Sequence, residues 1–264
     1  MIACVFAGPS LARAPAEARA GFDMRGPARQ GDVYRAALEG PAAIGLVDGY
    51  FEAVPAVWHK EILWALSRGI RVYGAASIGA LRAVELAPFG MVGVGRVFEA
   101  YRDGVLVDDD EVALLHGPAE TGYLPLTEAM VNVRATLERA TGDGVIDHAA
   151  ADKLADIAKA IFYKDRTWQA LLALAEGCPL AGECAGFRAW LPRGRCDRKR
   201  LDALETLAAL RARSAVAPEP PMPTFEPARS AVWEAARRAM DAASESYRTP
   251  VRGNRNSTGS LSEP

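Results

Sequence analysis

The run Ile70-Arg71-Val72-Tyr73-Gly74-Ala75-Ala76-Ser77-Ile78-Gly79 decides the fold. Strand-forming residues pass straight into small ones, and residues 80–86 then have the composition of a helix, which implies a tight strand-to-helix turn at Ser77. Upstream, residues 56–67 open behind Pro55 and stop before Gly69, the placement of proline and glycine expected around a helix. Before them Ala43-Ile44-Gly45-Leu46-Val47 forms an apolar run closed by Asp48-Gly49. A helical pattern at 33–38 ends at Gly40-Pro41, and the chain begins with Ile2-Ala3-Cys4-Val5-Phe6, stopping at Gly8-Pro9-Ser10. Apolar runs that are continuous rather than alternating, joined through helices, predict parallel strands covered on both faces. The fold class is α/β: an N-terminal parallel-sheet core of βαβ units followed by a mainly helical region.

Beyond Gly95 the pattern predicts helices at 96–101, 127–140 and 149–175, with a short strand at 112–115. Leu201, Leu204, Leu207 and Leu210 fall three apart and place an apolar stripe on a helix over 198–213. Proline-rich residues 215–227 read as a linker before a short helix near 231–243 and a flexible tail. Three parts are expected: residues 1–120 as the α/β core carrying the site, 121–214 as a helical region packed on it, and 215–264 as an appendage.

The 31 Lys+Arg nearly balance 33 Asp+Glu, so the net charge of -2 creates no global field to recruit nucleic acid or an anionic membrane. Hydrophobic residues at 50% exclude a wholly disordered chain of 264 residues. No apolar run reaches membrane-spanning length, and the first residues lack the basic n-region of a secretory signal, so the expected compartment is the cytoplasm. Cys4, Cys178, Cys184 and Cys196 form no dense framework and are expected as reduced thiols.

Chemistry concentrates at Ser77. A serine between small residues, after a strand and before a helix, can project its hydroxyl at the strand's carboxyl end in the manner of a nucleophile elbow. Here Ala75-x-Ser77-x-Gly79 replaces the usual first glycine by alanine, and the motif alone favours the plainer role of helix N-cap. The three histidines suggest no obvious triad, which leaves Lys60 as the candidate base. Its amine would have to fall from a pKa of ~10.4 to ~7–8, roughly 4 kcal/mol of destabilisation of the charged form, through burial near Trp58, Ile62, Leu63 and Trp64. A lysine extended to the surface is the alternative. Gly8, Ser10, Asp48 and Gly49 stand at two further strand ends, where open α/β sheets collect ligands. Glycine-rich turns there, together with Ile78 and Gly79, can supply amides to an oxyanion. Asp48 can orient Lys60, bind a partner or simply make a turn.

Five blocks in order, Val5-Phe6-x-Gly8-Pro9-Ser10-Leu11, Gly31-Asp32-Val33-Tyr34, Asp48-Gly49-Tyr50-Phe51, His59-Lys60-Glu61-Ile62-Leu63 and Gly74-x-x-Ser77-x-Gly79-Ala80-Leu81-Arg82-Ala83, resemble TfuA-like proteins. Gly90-Met91-x-Gly93-x-Gly95, Asp108-Asp109-Asp110-Glu111-Val112-Ala113 and Asn132-Val133-Arg134 extend the likeness to about residue 135. The resemblance implies a partner of YcaO enzymes, which activate peptide amides with ATP and, in these systems, exchange amide oxygen for sulfur in ribosomally made peptides or proteins. It implies a hydrolase-like Ser–Lys site, Ser77 as nucleophile and Lys60 as base, that frees sulfide from a thiocarboxylated ThiS-like carrier protein. The precursor peptide is a further implied partner, and neither cofactor nor metal is expected. Ile78 stands where methionine often follows the serine, and Ala76 where a second serine is common.

Two other functions compete. A noncatalytic adaptor would hold YcaO, carrier or peptide together, and a generic serine esterase would turn over small esters without a carrier. Other signals point less far. Gly90-x-x-Gly93-x-Gly95 lacks the ending of a phosphate loop, and Asp108-Asp109-Asp110-Glu111 suits a solvated or partner-facing turn better than Mg²⁺. Cys178, Cys184 and Cys196 lack zinc spacing, leaving a persulfide relay as the other reading of these thiols. Between Arg188 and Arg213 eight basic residues face three acids, an excess of 8 minus 3, or +5, suited to an acidic partner or to a solvated helix.

Overall fold

The computed structural model of the chain describes residues 2–52, 54–177, 181–213, 225–228 and 230–248. Five parallel strands, β1 (Cys4–Phe6), β2 (Asp23–Arg25), β3 (Ala43–Leu46), β4 (Arg71–Ala75) and β5 (Val92–Val94), form one sheet in the order β2-β1-β3-β4-β5. The helices are α1 (Ala16–Arg19), α2 (Asp32–Leu38), α3 (His59–Ser67), α4 (Ile78–Leu86), α5 (Gly95–Arg102), α6 (Met130–Gly142), α7 (His148–Ala160), α8 (Trp168–Glu176), α9 (Ala181–Gly194), α10 (Arg198–Arg213) and α11 (Ala231–Arg248). The expected parallel α/β core and the helical region after it are both present. Two compact units result, Met1–Pro227 and Ala228–Pro264. No helix among the described residues is long and apolar enough to cross a membrane.

The strands alternate between two buried faces. Cys4, Phe6, Ile44, Leu46 and Val72 meet α2, α3 and α4 through Val33, Ala36, Ile62, Ala65, Leu66, Ile78 and Leu86. Full burial of side chains such as Ile44, Leu46 and Ile62 contributes roughly 1.5–3 kcal/mol each. On the opposite face Val5, Ala43, Val47, Tyr73 and Ala75 meet Ala203, Leu207 and Leu210 of α10. A helix from near the end of the first unit thus supplies the second cover of the N-terminal sheet. Helices α6 to α9 build a separate cluster around Met130, Leu137, Leu154, Leu171 and Phe187.

Several boundaries differ from expectation. Strands β2 and β5 are three residues each, too short for a periodic signal, and Gly93 interrupts the apolar character of β5. Residues 112–115 form no strand; only an isolated bridge joins His116 to Pro125. The expected helix at 149–175 is two helices, because Thr167 turns its hydroxyl to the Ala170 amide at 3.1 Å and starts α8 afresh. Helix α3 begins at His59, where the Glu61 carboxylate accepts the Trp58 amide at 3.1 Å. On α10 the inward face runs through Lys199, Asp202, Ala203, Thr206, Leu207 and Leu210, whereas Leu201 is 42% exposed. The linker at 215–227 lies mainly, and the tail beyond 248 wholly, outside the described residues, as does Cys178.

Candidate functional site

Register aligns three strand ends. Phe6 pairs with Leu46 and Leu46 with Gly74, so Gly8, Asp48 and Ser77 leave the sheet at adjacent places. Strand order changes direction between β1 and β3, the position at which open α/β sheets open a crevice at their carboxyl ends. The Asp48 carboxylate fills the gap between these two ends: it accepts the amides of Gly8 at 2.8 Å and Ser10 at 2.9 Å, and the Ser10 hydroxyl at 2.7 Å.

Close packing sets the third end. A Cβ on Gly79 would lie 1.8 Å from the Leu46 carbonyl oxygen, and one on Gly74 would lie 2.1 Å from that of Gly79, so both positions must lack a side chain for α4 to start this close to β3 and β4. Between β4 and α4 the buried Ala76 takes φ +63°, left-handed for a non-glycine residue, and the Ser77 amide donates to the Ala75 carbonyl at 2.6 Å. Such a turn stores on the order of 1–3 kcal/mol, held in place by its surroundings. Ser77 precedes the first helical residue, yet its side chain caps nothing.

Instead the Lys199 amine donates to Ser77 Oγ at 3.1 Å and to the Val112 carbonyl at 2.8 Å, and lies 3.8 Å from Asp48 Oδ1. Lys199 is 2% exposed, and burial pulls its pKa below the ordinary lysine range, opposed by the charges of Asp48 and Asp197. Its place in the first turn of α10 adds the positive end of the helix dipole, which also disfavours an ammonium. Asn132 pins that turn, accepting the Lys199 amide at 3.0 Å and donating to Asp197 at 3.1 Å, while Asp197 accepts the Arg200 amide at 3.0 Å.

Lys60, the expected partner of Ser77, stands partly buried in the first turn of α3 and is not among the residues lining the crevice. The amine on Ser77 comes from α10, 122 residues away. Two expected oxyanion donors are also committed elsewhere, because the Gly8 and Ser10 amides serve Asp48. The Gly79 amide points to the Val47 carbonyl at 3.4 Å. Among the described residues the amides of Gly49 and Ile78 have no acceptor, and the two positions are adjacent: a Cβ on Gly49 would lie 2.7 Å from Ile78 Cγ2. They can receive a developing negative oxygen beside Ser77.

Ser77, Lys199, Asp48 and Gly49 line a cleft of about 580 Å³. Tyr50, Phe51, Leu115 and His116 form its apolar side, and Glu52 joins Tyr163 at 2.9 Å and Lys164 at 2.7 Å along its wall. The His116 ring lies tilted against Tyr50 with centroids 5.7 Å apart and edge-to-face with Tyr123 at 5.8 Å, His59 pairs with Glu85 at 2.7 Å, and His148 is exposed at the start of α7.

The remaining signals have internal occupants. Lys159 meets Asp108, Asp110 and Glu111, Arg166 meets Asp110 at 2.8 Å, and Arg134 meets Glu111 at 2.9 Å, so cations of this chain hold the acidic run. Much of the basic stretch is likewise engaged: Arg188 with Glu176, Arg195 with Glu128, and Arg211 with the carbonyls of Glu17, Ala18 and Ala20. Cys4 and Cys184 are buried, and burial raises the Cys4 thiol to about 12.

A family model described as TfuA-like protein matches residues 48–167 of the chain, which is similar to this family over that span. The match contains Asp48, Lys60 and Ser77 and ends before Lys199. No curated protein matches the chain.

Proposed function

We propose that this TfuA-like chain takes part in YcaO-associated thioamidation as a hydrolase that frees sulfide from a thiocarboxylated, ThiS-like carrier protein, with Ser77 as nucleophile and Lys199 in the role expected of Lys60. The observation that carries the reading is the buried amine of Lys199 at 3.1 Å from a serine hydroxyl that caps no helix. With Lys199 neutral, its nitrogen takes the Ser77 proton as Oγ bonds to the thiocarboxylate carbon. The amides of Gly49 and Ile78 stabilise the resulting oxyanion, and the Asp48 carboxylate stabilises the ammonium. The carbon–sulfur bond breaks as the Lys199 ammonium passes the Ser77 proton to the sulfur, which leaves as hydrosulfide and returns the amine to its neutral form. Water then attacks the serine ester, Lys199 takes and returns the proton, and the carrier departs as carboxylate. Overall, thiocarboxylate and water become carboxylate and hydrogen sulfide.

General base assistance supplies ~10²–10⁴-fold in such a step. Sulfide release by the purified protein from thiocarboxylated carrier tests the function, with an acyl adduct on Ser77 sought by mass spectrometry. Equal release by Ser77→Ala overturns the mechanism. Unimpaired thioamide formation by that variant in the presence of YcaO and peptide favours an adaptor.

A further inference from the structure

Lys199 reaches Ser77 only if α10 sits at one rotation and one depth against the sheet. The apolar contacts of Ala203, Leu207 and Leu210 do not fix either strongly, because hydrophobic burial is non-directional. A directional contact lies one turn beyond Lys199. Asp202 is fully buried, and its Oδ2 accepts the Val97 amide in the first turn of α5 at 2.7 Å, with the Arg96 amide also bonded to the carboxylate. A helix start leaves its first amides without partners, and here a carboxylate from another helix satisfies them. The approach depends on Gly95: at φ +86° it has no Cβ, and one placed there would lie 2.4 Å from Asp202 Cγ. The last glycine of the Gly90-x-x-Gly93-x-Gly95 run thus has a physical reason, and the helix start that resembles a phosphate loop already holds an anion. The arrangement is costly to keep. Asp202 Oδ1 has no hydrogen-bond donor among the described residues, its nearest cation is Arg198 at 3.6 Å, and burial pushes the carboxyl up to about 6.

We propose that Asp202 is the positioning residue of the site: by capping α5 it fixes α10 on the sheet and so sets the reach of the Lys199 amine to Ser77. This rests on the hydrolase reading for its kinetic consequence and on geometry alone for its effect on Lys199. A displacement of about 1 Å in a catalytic group costs on the order of 10²-fold, so Asp202→Ala should lower kcat for sulfide release by about that factor while KM stays near its original value. Asp202→Asn keeps an acceptor for the Val97 amide and should restore most of the rate. Asp202→Glu keeps charge and acceptor but adds one methylene, and should lose kcat without loss of fold, which covers the case of an alanine variant that does not fold.

The second readout is the titration of Lys199 by NMR of lysine-labelled protein, its signal assigned with Lys199→Arg. In Asp202→Glu and in folded Asp202→Ala the titration should move away from that of the original chain, and in Asp202→Asn it should stay close to it. An unaltered Lys199 titration with unaltered kcat in Asp202→Glu overturns the proposal. A moved titration in a protein that releases no sulfide leaves Asp202 in its positioning role and removes the hydrolase reading instead.

Discussion

The strand-end half of the site and the α10 half are built by different physics. Ser77, Asp48 and the amides of Gly49 and Ile78 are held by their own neighbours in the chain: strand register, missing Cβ atoms at Gly74 and Gly79, and a left-handed Ala76. Lys199 is held by tertiary docking, through Asn132, the Val112 carbonyl and the Asp202 cap on α5. The first half is rigid because its backbone has no room to move. The second is adjustable because its anchors are single hydrogen bonds, each worth about 1 kcal/mol net, somewhat more where charge is involved. Changes to Ser77 and its glycine-framed turn should therefore abolish chemistry or folding, whereas changes to the anchors that hold Lys199 should grade the rate.

The largest contrast is at Ser77 itself. Ser77→Ala should eliminate hydrolysis through the serine ester and cost only about 1 kcal/mol of stability, since the hydroxyl caps no helix and gives up one hydrogen bond, that from the Lys199 amine. A calorimetric scan beside a sulfide assay separates the two effects. Gly79→Ala should act oppositely in kind, because its Cβ meets backbone that cannot rotate away. The variant should lose about 3 kcal/mol or more in urea unfolding, and a loss below 1 kcal/mol removes the packing account of the turn.

Asp48 joins the two halves, and Asp48→Asn should lower kcat by about 10²-fold through weaker stabilisation of the Lys199 ammonium. The pH profile sharpens this. Lys199 must be neutral to accept the Ser77 proton, so kcat/KM should fall about tenfold per pH unit below its depressed pKa. Asp48 opposes that depression, so Asp48→Asn should move the acid limb to lower pH. Movement to higher pH contradicts the assigned coupling. The same shift makes stability rise with pH between the depressed value and the unfolded value of ~10.4, because the unfolded chain binds the additional proton. Smallest of all, Ser10→Ala removes one of three donors to Asp48 and should cost about 1 kcal/mol of stability with kcat within a small factor, read from paired unfolding and rate measurements.

The strand-end half was legible in the sequence because its causes are local. The apolar runs ending in Gly8-Pro9-Ser10, Asp48-Gly49 and Ser77-x-Gly79 carry both the fold and the crevice in consecutive residues. The α10 half was not, and the reason is specific. Leucines three apart at 201, 204, 207 and 210 suggest an apolar stripe, yet helical geometry buries 199, 202, 203, 206, 207 and 210, a face whose first two members are a lysine and an aspartate. A charged pair on the same face as Leu207 and Leu210 was the available signal; the expectation followed the leucines. Lys60 drew attention because no histidine suggested a triad, and its block also resembles the family, but neither elimination nor resemblance supplies the distance to Ser77. The short edge strands β2 and β5 were missed for want of length, and their absence from the expectation did not disturb the crevice at β1, β3 and β4.

The central claim is that the amine serving Ser77 belongs to Lys199. Single-turnover sulfide release from thiocarboxylated carrier, measured side by side for Lys199→Met and Lys60→Met, tests it most directly. The account predicts that sulfide release is lost in Lys199→Met and retained in Lys60→Met; release that survives the first substitution and disappears with the second contradicts it.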